Sequence, residues 1–120
     1  MPQLEYYPRL YVSESINREK LEKLKKDLAS RPHKADVYLL ALPENSSDQL
    51  SIYESKYLRQ EYYDRHPLYV IGIAAEYPEA MGMVEQIARE AWAARGDARL
   101  REYLTAGMES ADVEHGIENT

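Results

Sequence analysis

The sequence contains no cysteine. That excludes disulfide frameworks, thiolate zinc sites and cysteine nucleophiles. Phenylalanine is also absent, and there is one tryptophan and five glycines. None of the glycines builds the Gly-rich loop that lets backbone amides approach a phosphate. No apolar run reaches the roughly 20 residues that a membrane helix needs. The opening residues, MPQLEYYPRL, have neither the basic start nor the apolar stretch of a signal peptide. The expectation from these absences is a cytoplasmic protein.

Positive charge is missing from the end of the chain. No Lys or Arg follows Arg101, whereas Glu109, Asp112, Glu114 and Glu118 do. Most of the formal charge of −6 therefore sits in residues 105–120, and the body is nearly neutral. No broad basic face offers itself to nucleic acid, which needs one. Residues 16–34 carry Arg18, Lys20, Lys23, Lys25, Lys26, Arg31 and Lys34 against Glu19, Glu22 and Asp27, a local excess of +4. The Glu19–Lys23 and Glu22–Lys26 spacings are those of paired charges on a solvated helix. That reading is preferred to a patch for an acidic partner.

At 120 residues the chain reads as one domain. Residues 1–104 carry the alternating apolar segments, and 105–120 are expected to be an acidic, disordered tail. RLYVS, residues 9–13, reads as a strand. Ile16, Leu21, Leu24 and Leu28 mark one face of a helix that Ser15 or Asn17 can cap and that Arg31-Pro32 ends. DVYLLAL, residues 36–42, is a near-continuous apolar run of the kind found in strands covered on both faces. Leu50, Tyr53, Tyr57 and Leu58 recur at helical spacing. LYVIGIAA, residues 68–75, is the clearest strand. Pro78 suits the first turn of a helix that runs to Gly96, with Ala80, Met81, Val84, Ile87, Ala88, Ala91 and Trp92 on its apolar face. DARLREYL forms one more short helix.

The order predicted is β-α-β-α-β-α. It implies an α/β fold with a small, three-stranded, mainly parallel sheet and helices packed on it. A sheet of three strands leaves edges exposed, and a homodimer would cover them. Eleven tyrosines suit such contacts, because Tyr joins a large ring to a polar tip. Tyr62, Tyr63, Tyr69 and Trp92 are the interface candidates.

In parallel sheets ligands bind beyond the carboxyl ends of the strands. The three turns there each carry a glutamate: Glu14, Glu44 and Glu76. Asn45, Ser46 and Asp48 add further oxygens. Such a set would suit a hard cation such as Mg²⁺. The competing reading is local, since a carboxylate at a helix N-terminus is favoured by about 0.3–1 kcal/mol. His33, His66 and His115 have no ligand spacing, and no cofactor is otherwise implied. Ser46 or Ser47 with Asp64 and His66 lacks the G-x-S-x-G turn of a nucleophile elbow.

VYLLALPENSSDQLSIYESKYLRQEYY followed by LYVIGIAAEYPEAMGMVEQIAREAW resembles a class of small, uncharacterised α/β proteins of anaerobic Gram-positive bacteria. The resemblance spans residues 36–95 and implies a fold, with no activity attached. The functional expectation is a non-catalytic protein–protein interaction or accessory module acting as a homodimer. The alternative is a small divalent-metal-dependent enzyme or ligand binder with its site at the carboxyl ends of the strands.

Overall fold

The structure, a computed structural model, describes residues 3–43 and 49–106. Strand β1 is Leu4–Val12, β2 is Tyr38–Pro43, β3 is Ser51–Glu54 and β4 is Leu68–Ala74. Helix α1 is Arg18–Ser30, α2 is Pro32–Ala35, α3 is Tyr62–Arg65 and α4 is Tyr77–Arg95. A 3-10 turn, Ser55–Arg59, follows β3, and a last helix, α5, covers 100–106. The expected disordered tail lies, from residue 107 on, outside the described residues. Among the described residues no helix is long and apolar enough to cross a membrane.

The sheet has four strands in the order β1-β4-β2-β3, and it is mixed. β1 pairs parallel with β4, whereas β2 is antiparallel to both β4 and β3. This corrects the expected three-stranded, mainly parallel sheet in two respects. First, the segment 50–60, expected to be a helix, opens with β3. Ile52 and Tyr53 point to opposite faces of the sheet, as successive strand residues must. Second, α1 does not carry the chain back to the far end of the sheet. The α2 turn and Asp36, in the left-handed region at φ 49° and ψ 53°, redirect it. β2 therefore enters at the end where β1 leaves, with Tyr38 opposite Ala74.

The two central strands are covered on both faces. On one side Leu40, Leu42, Ile71 and Ala74 meet Ala80, Met83, Ile87 and Ala91 of α4, with Leu100 and Leu104 of α5 closing the cluster. On the other, Leu39, Ala41, Val70 and Ile73 meet Leu24 and Leu28 of α1, Ala35 of α2 and Leu58 of the 3-10 turn. Asn17 caps α1, accepting from Lys20 N at 2.8 Å. Gly96 ends α4 at φ 77°, its N–H bonded to Trp92 O at 2.8 Å. The charges on α1 pair as Glu22–Lys25 and Asp27–Arg31, both at 4.0 Å, and Lys25 lies over the Tyr6 ring at 5.0 Å.

Met81 and Trp92 were expected in the apolar face of α4, yet they are 41% and 63% exposed. At roughly 100° per residue, the buried Ala80, Met83, Ile87 and Ala91 occupy about 80° of the helix. Tyr77, Met81 and Trp92 fall on the neighbouring arc. The apolar arc is thus wider than the sheet beneath it.

β4 carries the main irregularity. Leu40 pairs with Gly72 and Ala41 with Val70, so Ile71 is an extra residue in β4. Between Tyr6 and Tyr11, β1 has three residues more than β4. Pro8 lies inside that bulge, where its missing N–H is harmless. A Cβ on Gly72 would lie 3.1 Å from the Tyr11 carbonyl oxygen, 3.2 Å from Tyr11 Cβ and 3.3 Å from Met83 Sδ. Gly72→Ala is expected to destabilise the protein by about 1–3 kcal/mol, because backbone must move to admit the methyl group. Gly82, inside α4, has open space where its Cβ would go, so Gly82→Ala should stabilise by about 0.5–1 kcal/mol. Urea unfolding of the two variants checks both signs. A neutral Gly72→Ala would show that β1 and β4 do not approach so closely.

Candidate functional site

β1, β3 and β4 run in the same direction, so their carboxyl ends share one end of the sheet. Glu14 follows β1 and Glu76 follows β4, and both are exposed. Glu76 is the N-cap residue of α4 but makes no side-chain cap bond. The carboxylate engaged here belongs to Glu79. Buried Ser13 donates to Glu79 Oε2 at 2.7 Å and accepts from Ala75 N at 3.0 Å, tying the ends of β1 and β4 together. Glu44, Asn45, Ser46 and Asp48 lie outside the described residues. Pro43, which precedes them, pairs with Leu68 at the start of β4, the opposite end of the sheet from Glu14 and Glu76. Among the described residues no three His, Asp or Glu side chains are grouped to hold a metal ion.

The same end of the sheet holds a cleft of about 460 Å³, lined by Tyr38, Ile52, Tyr53, Glu54, Tyr57 and Tyr77. Half of these stand at an element terminus. Tyr38 opens β2, Glu54 closes β3, Tyr57 sits in the 3-10 turn and Tyr77 opens α4. The Tyr38 and Tyr77 rings meet edge to face, 5.6 Å apart at 68°. Tyr57 and Tyr77 are 46% and 50% exposed. The hydroxyls of Tyr38, Tyr57 and Tyr77 make no hydrogen bond to a described residue. Glu54 pairs with Lys56 Nζ at 3.0 Å, and that ammonium lies 5.4 Å from the centre of the Tyr57 ring. The Glu54 hydrogen bond and charge raise the pKa of Lys56 above its ordinary value. The volume is within the roughly 300–1,000 Å³ of small-molecule sites.

Beside the cleft, a pocket of about 100 Å³ is lined by His33, Asp36 and Ser55 among others. Ser55 is buried and accepts from Val37 N at 3.1 Å. Among the described residues no direct hydrogen bond joins His33, Asp36 and Ser55.

The remaining tyrosines do structural work. Tyr11 donates to Glu90 Oε1 at 2.6 Å, and Tyr103 reaches the same oxygen at 3.5 Å. Tyr7 stacks on Tyr11 at 6.3 Å. Of the residues expected at an interface, Tyr62 and Trp92 are exposed. Tyr62 stacks on His66 at 3.9 Å. Tyr63 packs edge-on against Tyr53 on the α1 side of the sheet, whereas Tyr69 packs into the α4 side. The four candidates do not form one patch.

The sequence placed Glu14 and Glu76 at one end of the sheet, where the structure also has them, and gave no sign of the cleft. The tyrosines at 53 and 57 that line it read there as helical spacing. No protein-family model matches the chain, and no curated protein or solved structure does either.

Burial raises Tyr6 from 10.0 to about 12. It also raises Tyr7, Tyr11, Tyr63 and Tyr103, with Glu90 adding to the effect at Tyr11. The unfolded chain gives up these protons near pH 10, while the folded protein keeps them longer. The associated stability is complete below pH 10 and is lost as pH rises through the folded values. The urea midpoint is expected to fall steadily between about pH 10 and 12. A midpoint unchanged across that window would mean these hydroxyls are not buried.

Proposed function

We propose that this protein is a non-catalytic interaction module that pairs with a second copy of itself along the outer edge of β3. One observation carries the reading: the two edges of the sheet are built oppositely. β1 is blunted by a bulge, by Pro8 and by the exposed Glu5 and Arg9. β3 is short, four residues ending in Glu54, but it has neither a bulge nor a proline. Ser55 N donates to Val37 O at 2.9 Å, and bonded pairs alternate along an antiparallel ladder. Ile52 and Glu54 therefore turn their N–H and C=O groups away from β2. No described strand lies beyond them.

A two-fold axis beside β3 would join two sheets into one of eight strands, an isologous contact with the same patch on both sides. The flank of α4 above β3 supports it. Tyr77, Met81 and Trp92 lie on that flank, since Gln86 and Glu90 face the other way, Glu90 reaching Tyr11 of β1. Exposed apolar stripes beside an open strand edge are the signature of contact surfaces. A second reading, a ligand binder at the carboxyl ends of the strands, is favoured by the tyrosine cleft.

Sedimentation across the micromolar range is expected to give twice the 13.9 kDa of the chain. Trp92→Glu should weaken pairing by about tenfold or more, from the loss of buried ring area. Trp92 is 63% exposed in the single chain, so this variant should retain its fold. A wild-type monomer at every concentration sinks the proposal.

A further inference from the structure

We infer that the tyrosine cleft is a site for a small organic cation, with Glu54 as its counter-charge and Lys56 as its built-in competitor. The inference rests on the ligand-binder reading and supplies its chemical class.

Four of the eleven tyrosines line one cleft, although the Tyr53 ring is held against Tyr63 on the α1 side of the sheet. Aromatic faces attract cations through their quadrupole, most strongly where water is thinned out. Tyr38 and Tyr77 set two walls nearly at right angles, 68° between ring planes. Such corners are how aromatic cages surround a substituted ammonium group. Glu54, at the rim, gives the cleft a single negative charge that neutral apolar ligands would not use.

The structure also displays the chemistry intramolecularly. The Lys56 ammonium lies against the Glu54 carboxylate and near the Tyr57 ring. Its side chain is 60% exposed, and that of Glu54 is 42% exposed. Exposed ion pairs of this kind are weak, because water and salt screen them. An incoming cation can replace Lys56 at Glu54, and the freed ammonium moves into solvent. A quaternary ammonium has the advantage, since it is poorly hydrated and leaves less water behind. The cavity of about 460 Å³ accommodates a group larger than a lysine tip. The cleft shares β3 and Tyr77 with the proposed contact surface, but every residue lining it belongs to one chain, so the site requires no pairing of chains.

The test is a titration of the full chain with choline and, separately, with its neutral isostere, in which a tert-butyl group replaces the trimethylammonium. Binding is followed by the NMR signals of the tyrosine rings. Choline is expected to shift Tyr38, Tyr57 and Tyr77 and to bind about tenfold more tightly than the isostere. Glu54→Gln should weaken choline binding by a similar factor. Lys56→Gln should tighten it several-fold, whereas Arg59→Gln, with the same change of charge on an exposed neighbour, should leave it unchanged. Equal binding of the two probes would overturn the cation assignment and leave a ligand-binding cleft. Failure of both probes to shift the cleft tyrosines would overturn the assignment and remove the support for the ligand-binder reading.

Discussion

β4 must be paired on both edges and covered on both faces, and the rest of the molecule is arranged to meet that demand. Six of its seven residues are buried. Every N–H and C=O in such a strand needs a partner, because water cannot reach it. β1 supplies one ladder and β2 the other. Its two faces then need helices on opposite sides, α4 with α5 on one and α1 with α2 on the other. The ladders do not match in length, and the mismatch is absorbed where β4 is thinnest. Ile71 bulges against β2, β1 loops out through Pro8, and Gly72 admits the Tyr11 backbone into the space a side chain would fill.

The exposed surface beside β3 follows from an imbalance of lengths. α4 has 19 residues and β3 only four. At 1.5 Å per helical residue and about 3.3 Å per strand residue, the helix is roughly twice as long as the strand beside it. The side of α4 nearest β1 has Tyr11 and Glu90 to occupy it. The side nearest β3 has too little sheet to cover Tyr77, Met81 and Trp92. The open strand edge, the exposed stripe and the cleft are therefore three consequences of one short strand.

That strand is also what the amino-acid sequence hides. The long segments are legible. DVYLLAL and LYVIGIAA are apolar without alternation because both faces of β2 and β4 are buried, and Pro78 and Gly96 bracket α4 as their chemistry requires. In β3 the strand pattern lasts two residues, Ile52 and Tyr53, too short to outweigh the helical spacing of Leu50, Tyr53, Tyr57 and Leu58. Leu58 is buried, but from a 3-10 turn. The direction of β2 is hidden for a different reason. It depends on Asp36 adopting positive φ, a single backbone state that an aspartate tolerates without announcing it. With β2 reversed, β3 takes the place the second turn was expected to fill. Glu54, at the end of β3, is a carboxylate at the sheet end that also holds Glu14 and Glu76.

The absence of phenylalanine gains a physical meaning from this arrangement. At Tyr11 the hydroxyl is indispensable in kind, since it gives the part-buried Glu90 carboxylate a charge-assisted bond of about 1.5–3 kcal/mol. At Tyr38, Tyr57 and Tyr77 no described residue takes the hydroxyl. Phenylalanine there would keep the rings but make the surroundings of Glu54 less polar, which raises the cost of its charge. Tyrosine keeps the same ring area and adds polar atoms. The molecule thus uses one residue type in two ways: Tyr11 locks α4 to β1 through its hydroxyl, whereas Tyr38, Tyr57 and Tyr77 line a cleft at the end of the sheet.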